Sequence, residues 1–139
     1  MSYSLDDLDG ARLKAVFDAA FMDCHFDSDG DLIVENDLRI LVRAAPEQKL
    51  LKLSAFFGIK ADRFQILEFC NRFNREMIVC RVFFADRQDA DGEWPVIFDY
   101  DLVVMPGETL EPKTIVMLVR RFSEIIRGGI RHTDEENLF

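Results

Sequence analysis

Residues 25–36 read "HFDSDGDLIVEN", and two interpretations of that stretch lead to different folds. The first is half of a calcium loop of the EF-hand type, which needs oxygen ligands at positions 1, 3, 5 and 12 and glycine at 6. With Gly30 at the glycine position, Asp27 and Asp29 fall where ligands belong, but His25 takes the first position and Asn36 the last. The bidentate carboxylate is therefore missing. A second copy, "RQDADGEWPVIF" at residues 87–98, centres on Gly92 and fails at the same two places, with Arg87 first and Phe98 last. What the copies share is an Asp-Gly step between β-rich runs, the signal of a hairpin turn with positive φ at its centre. Both are read as hairpins, and no metal or other cofactor is expected.

The flanks agree. Met22, Cys24 and Phe26 alternate with Asp23, His25 and Asp27, the period of two of a half-buried strand. Cys24 and His25 then point to opposite faces and cannot form a nucleophile–base pair, which requires hydrogen-bond contact. Asp23, His25 and Asp27 share a face, read as solvated strand surface in preference to a weak metal site.

Working outward, Ser4 with Asp7 forms a capping box, and Leu13, Val16, Phe17 and Ala20 follow at helical spacing. Strand-like runs cover residues 21–27, 31–35, 38–43 and 50–57, the last two joined through Pro46. Over residues 61–77 the pattern changes to a helical stripe of Ile66, Phe69, Cys70, Phe73 and Met77. Residues 79–85 and 94–104 flank the second Asp-Gly turn. A third helix starts near Pro112, turns Ile115, Leu118, Val119, Phe122, Ile125 and Ile126 inward, and is expected to stop at Gly128-Gly129. The order α-β-β-β-β-α-β-β-α predicts an α+β fold: an antiparallel β-sheet flanked by helices, in a single domain over residues 1–131. Residues 132–139 are acidic and expected to fray, with a docking peptide as the second reading because the last two are apolar.

Composition narrows function. A chain of 139 residues can bury one real core, and its longest apolar run, residues 115–119, is far short of the ~20 needed to cross a bilayer. With no basic-then-apolar leader, a soluble cytoplasmic protein is expected. A net charge of −9 repels phosphate backbones, so neither nucleic acid nor membrane is an expected partner. Cys24, Cys70 and Cys80 lack C-x-x-C spacing and read as thiols packed in a reducing compartment. The common phosphate, dinucleotide, zinc and acyl-transfer signatures are absent, and Asp99 and Asp101 are indistinguishable from solvated strand residues. No catalytic residue is assigned and a non-enzyme is expected.

More informative are apolar residues on faces that should be wet. Leu41 lies between Arg39 and Arg43, Phe83 beside Arg81, and Ile97 beside Asp99, while Ile33 opposes Leu32 and Val34. On the third helix Val116 and Met117 fall off the core stripe, and Arg120, Arg127 and Arg131 share a salt-bridged face with Glu124. Leu41, Phe83, Ile97, Val116 and Met117 are thus candidate protein-contact residues, and a homodimer is expected.

The segments "ILEFCNRFNREMIVCRVFFAD" and "GEWPVIFDYDLVVMPGET" resemble the bacterial YbjN family, whose helix ends in an Asn-x-aromatic-Asn motif and whose later strand ends in an acidic-aromatic-acidic step. Here these are Asn71, Phe73 and Asn74, then Asp99, Tyr100 and Asp101; Phe73 stands where many members carry tryptophan. "DSDGDLIVEN" and "LRILVRA" extend the likeness more faintly over most of the chain beyond the first helix. The resemblance implies a fold similar to type III secretion chaperones and a regulator of sensory transduction with no established reaction. Asn71 and Asn74 are read as structural, their amides bonding free carbonyls or the neighbouring strand. The function expected is a regulatory or chaperone-like module that binds an unidentified protein. The alternative is a small-molecule sensor or enzyme with a pocket between the second helix and the sheet.

Overall fold

The computed structural model describes residues 1–139. After a short 3₁₀ turn at Leu5–Asp7 come α1 (Gly10–Ala19), β1 (Asp23–Phe26), β2 (Leu32–Asn36), β3 (Leu38–Ala45), a 3₁₀ turn at Pro46–Gln48, and β4 (Leu50–Ile59). Then follow α2 (Arg63–Glu76), β5 (Arg81–Phe84), β6 (Trp94–Val103) and α3 (Pro112–Thr133). The six strands form one sheet in the order β1-β2-β3-β4-β6-β5. This is the predicted α+β architecture with its antiparallel hairpins. The chain's contacts gather into two compact units: Met1–Ser54 with Asp101–Ser123, and Ala55–Tyr100 with Glu124–Phe139.

In unit 1 the first helix starts later than predicted. Asp9, not Ser4, is its N-cap, accepting the Arg12 N–H at 2.8 Å. Ser4 instead donates its hydroxyl to Asp7 at 3.0 Å, because burial of Leu5 and Leu8 ties residues 5–7 into a 3₁₀ turn. α1 ends with Phe21 at φ 58°, the left-handed position usually given to glycine, and the Met22 N–H returns to the Phe17 carbonyl. The antiparallel register pairs Cys24 with Val34, Phe26 with Leu32, and Val34 with Ile40. These side chains share the face on which α1 packs: the Cys24 thiol reaches the Asp18 carboxylate at 3.3 Å, and Phe26 lies against Gly10. At the far end Ser123 donates its hydroxyl to the Asn36 carbonyl and receives the Asn36 amide.

In unit 2, α2 opens with a complete capping box, Asp62 accepting from the Gln65 N–H and Gln65 returning a bond from the Asp62 N–H. Its apolar stripe packs Phe69 and Phe73 against Phe98 of β6, with ring centroids 6.3 and 5.1 Å away. α3 does not stop at Gly128-Gly129 but runs to Thr133. The glycine at 129 answers to packing: a Cβ there would lie 2.5 Å from the Phe73 ring. Residues 134–139, expected to fray, are seated. Asp134 accepts the N–H groups of Leu138 and Phe139 at 2.9 Å each, and the Phe139 ring stands 4.7 Å from Phe69 and 5.2 Å from Phe57.

Both Asp-Gly stretches are hairpin turns of one design. Asp27 Oδ1 accepts the N–H groups of Asp29 and Asp31, as Asp89 Oδ1 accepts those of Asp91 and Glu93, all at 2.9 Å. Gly30 and Gly92 sit at φ 83° and 78°.

Candidate protein-contact surface

Register and burial sort the strand residues into two faces. In unit 2, Val82 pairs with Phe98 and both are buried, so Phe83 and its partner Ile97 point the other way. β4 alternates likewise: Ala55, Phe57 and Ile59 face inward and Phe56 outward. Phe83 is 41% exposed and Phe56 55%. Arg81 lies over the Phe83 ring at 5.4 Å while bonding the Asp99 carboxylate at 3.3 Å, so a cation, a carboxylate and two open aromatics share this face.

In unit 1 the corresponding face holds exposed His25, Arg39 and Arg43 around half-buried Leu41. Ile33 does face away from Leu32 and Val34, yet it is buried, with His25 and Leu41 directly opposite it on the neighbouring strands. Met117 is 56% exposed, whereas Val116, expected at the surface, is buried at 7%. Buried Ile115, Val116, Val119, Phe122, Ser123, Ile126 and Ile130 make the α3 stripe about 120° wide, and Val116 falls on its margin.

The family-motif residues separate into distinct roles. Asn74 closes both backbone groups of Val82, donating to its carbonyl at 2.7 Å and accepting its N–H at 2.8 Å. Because β5 ends the sheet order, this amide occupies edge groups that another strand could otherwise pair with. Asn71, three residues earlier on the helix, is exposed, and both bonds to Val82 come from Asn74. Phe73 is fully buried among the rings, Asp99 pairs with Arg81, Tyr100 is half-buried, and Asp101 pairs with Lys52 at 3.2 Å.

Reactive chemistry is poorly served by the remaining groups. Asp27, Asp29 and Asp31, and likewise Asp89, Asp91 and Glu93, bring carboxylate oxygens within 4.8 Å of one another. The first aspartate of each set, however, already spends one oxygen on two backbone donors. Burial pushes the Cys70 and Cys80 thiols up to about 11, the charge of Asp99 adding to the effect on Cys80, and burial with the Asp18 hydrogen bond also raises Cys24. None is an activated thiolate. Where a pocket between α2 and the strands was the alternative, Phe57, Phe69, Phe73, Phe98 and Phe139 are packed ring on ring. A cleft of about 120 Å³ in unit 1, lined by Lys49, Met105 and Glu108 among others, is small beside the ~300–1,000 Å³ of ligand pockets.

Sequence reading passed over Phe56, although the alternation of β4 marks it, and over the bidentate Arg63–Asp86 pair at 2.7 and 2.8 Å, which no local spacing reveals.

The chain is thus an α+β domain whose sheet carries exposed aromatic residues on one open face. The YbjN family model, described as "Putative bacterial sensory transduction regulator", matches residues 9–135, and the chain belongs to that family. In structure it is similar to YbjN from E. coli, described as "a putative transcription regulator", with a TM-score of 0.69 and 16% identity over 94% of this chain and 95% of that one. At that identity the likeness is one of fold. No curated protein matches the chain. No helix is long and apolar enough to cross a membrane.

Proposed function

We propose that the chain is a non-enzymatic regulatory module that binds a segment of another protein across the open strand face of unit 2. The observation that carries this reading is the exposure of Phe56 and Phe83 on the face opposite the one α2 packs against. Large apolar groups beside a charged pair are the composition of a contact surface, with aromatics as anchors and charge for orientation. The family description supports a regulator. A net charge of −9 disfavours direct reading of nucleic acid, so regulation through a protein partner in the cytoplasm is the form that fits.

A chaperone-like mode follows, in which an extended segment lays apolar side chains on Phe56, Phe83 and Ile97 while Arg81 and Asp99 meet its polar groups. A weak homodimer through the same face or through Met117 is part of the reading. Photo-crosslinking in living cells tests the partner. Benzoylphenylalanine at position 83 or 56 is expected to give a discrete adduct with another polypeptide, and at Phe64, 65% exposed on α2, to give none. Failure at both strand positions, or the same adduct from position 64, removes the assigned surface. Sedimentation velocity at low and high salt tests self-association, which apolar burial should preserve or strengthen as salt screens the acidic charge.

A further inference from the structure

We infer that the surface beneath residues 134–139 is a second binding site, a seat for a segment with acidic residues followed by leucine and phenylalanine, filled in this chain by its own residues. The seat has an apolar and a polar half, both in unit 2. Phe57, Phe69 and Phe98 surround the Phe139 ring at centroid distances of 5.2, 4.7 and 5.9 Å. Beside them Gln65 donates its amide to Glu136 at 2.6 Å. Arg72 donates to the Thr133 carbonyl at 2.8 Å and lies 3.6 Å from the Glu135 carboxylate. The Arg72 side chain is only 17% exposed, so the cation is held in place rather than free to sample water. Rings for the hydrophobic end and an ordered guanidinium with an amide for the acidic part define the ligand chemistry.

The segment in the seat is attached in a way that lets it leave. Residues 134–139 belong to no helix or strand, so lifting them breaks no ladder. Glu135, Glu136 and Asn137 are exposed, Leu138 and Phe139 only half-buried, and Asn137 holds the left-handed φ of 56°. Departure would leave three aromatic rings facing water, a state that favours refilling by a segment of like chemistry. The occupant assigned is such a segment of a partner protein, competing with the chain's own strap. This seat lies on the α2 side of the strands, away from the face bearing Phe56 and Phe83.

The test is binding of a labelled peptide, DEENLF, to the full chain and to Phe139→Ala, followed by fluorescence anisotropy. Without its own ring in the seat the variant should bind about tenfold or more tightly than the parent, since the competing closed state is depopulated. A peptide with its final phenylalanine changed to alanine should bind neither, and Arg72→Gln added to the variant should weaken binding. Equal affinity for parent and variant, or none for a folded variant, overturns the seat. Should Phe139→Ala fail to fold, the parent chain still decides. Excess peptide should speed hydrogen exchange at the Leu138 and Phe139 amides while leaving Val82 unchanged, and no acceleration overturns the proposal. A parent-chain dimer that disappears in Phe139→Ala would show straps exchanged between two copies, and would overturn a separate partner.

Discussion

Unit 1 and unit 2 are packed with different materials. Apart from Phe17 and Phe122, the deepest residues of unit 1 are branched aliphatics: Leu32, Val34, Ile40, Val42, Leu51 and Leu53 are each 2% exposed or less. Unit 2 is built around Phe57, Phe69, Phe73, Phe98 and Phe139, with centroids about 5 to 6 Å apart in edge-to-face and tilted pairs. An aliphatic side chain on an alternating strand meets the neighbours that register hands it. A ring reaches further and accepts partners from any distance along the chain. Unit 2 therefore depends on Gly129, a residue that serves packing made elsewhere in the sequence.

The strongest way to break this contrast is to remove the ring that the others share. Phe98 contacts Phe57, Phe69, Phe73 and Phe139. Phe98→Ala should cost about 3–5 kcal/mol, against about 0.5–1.5 for the single methyl lost in Ile40→Val of unit 1. Urea denaturation measures both, and comparable losses would mean that the rings are not what holds unit 2.

Next comes a pair of adjacent glycines. Alanine favours a helix over glycine by about 1 kcal/mol, so propensity alone predicts that either substitution in α3 stabilises. At Gly128 a Cβ meets only the Arg131 guanidinium at 3.8 Å, and Gly128→Ala should follow propensity. At Gly129 the Cβ would press on Phe73 at 2.5 and 2.9 Å, and Gly129→Ala should destabilise by about 1–3 kcal/mol. Opposite signs at neighbouring positions would sharpen the contrast; equal signs would remove Gly129 from the account.

The same pair shows what was legible. Gly128-Gly129 reads locally as a helix end, and the helix continues because Phe73, more than fifty positions away, requires the missing Cβ. Local signals served where the cause was local: the Asp-Gly turns, the α2 stripe, and the alternation that put Phe83 and Ile97 on the outer face. They failed where a distant residue decided. Val116 looked spare until the α3 stripe proved wide, and the tail looked frayed because nothing in "DEENLF" announces Arg72 and three waiting rings.

Asn74 tests the edge of unit 2. Asn74→Ala leaves the Val82 N–H and carbonyl without their amide and should cost about 1–3 kcal/mol, with faster hydrogen exchange at Val82. Exposed Asn71→Ala should stay within about 0.5 kcal/mol of the parent. An equal cost at both would assign the motif to general helix stability rather than to the edge.

The cysteines give a pH reading. Burial raises Cys70 and Cys80 from 9.0 to about 11, so the folded state holds these protons more tightly than the unfolded chain does. The contribution is fully present below pH 9 and is lost as pH rises towards 11. Stability should fall across that window, and Cys70→Ala with Cys80→Ala should flatten the slope. An unchanged slope would show that other groups set it.

The smallest effect asks whether a local device ignores the material around it. The turn at Asp27 joins strands in unbroken register, its N–H meeting the Asp31 carbonyl next to the Phe26–Leu32 pair. The turn at Asp89 has the same five-residue bonding, yet between the Ala85–Pro95 and Asp89–Glu93 bonds three residues, Asp86, Arg87 and Gln88, stand against Trp94 alone. If the turn is self-contained, Asp27→Ala and Asp89→Ala should each cost about 1 kcal/mol, because each removes one oxygen that accepts two backbone N–H groups. The corresponding Asp→Asn changes keep an acceptor oxygen and should be close to neutral. Thermal unfolding of the four variants measures this, and the bulged hairpin provides the contrast. A larger loss at Asp89 would mean that this turn also holds Asp86 in place for its bidentate pair with Arg63. Millimolar calcium should change neither turn, since each lacks the bidentate carboxylate of a calcium loop and one oxygen of its first aspartate is already committed to two backbone donors.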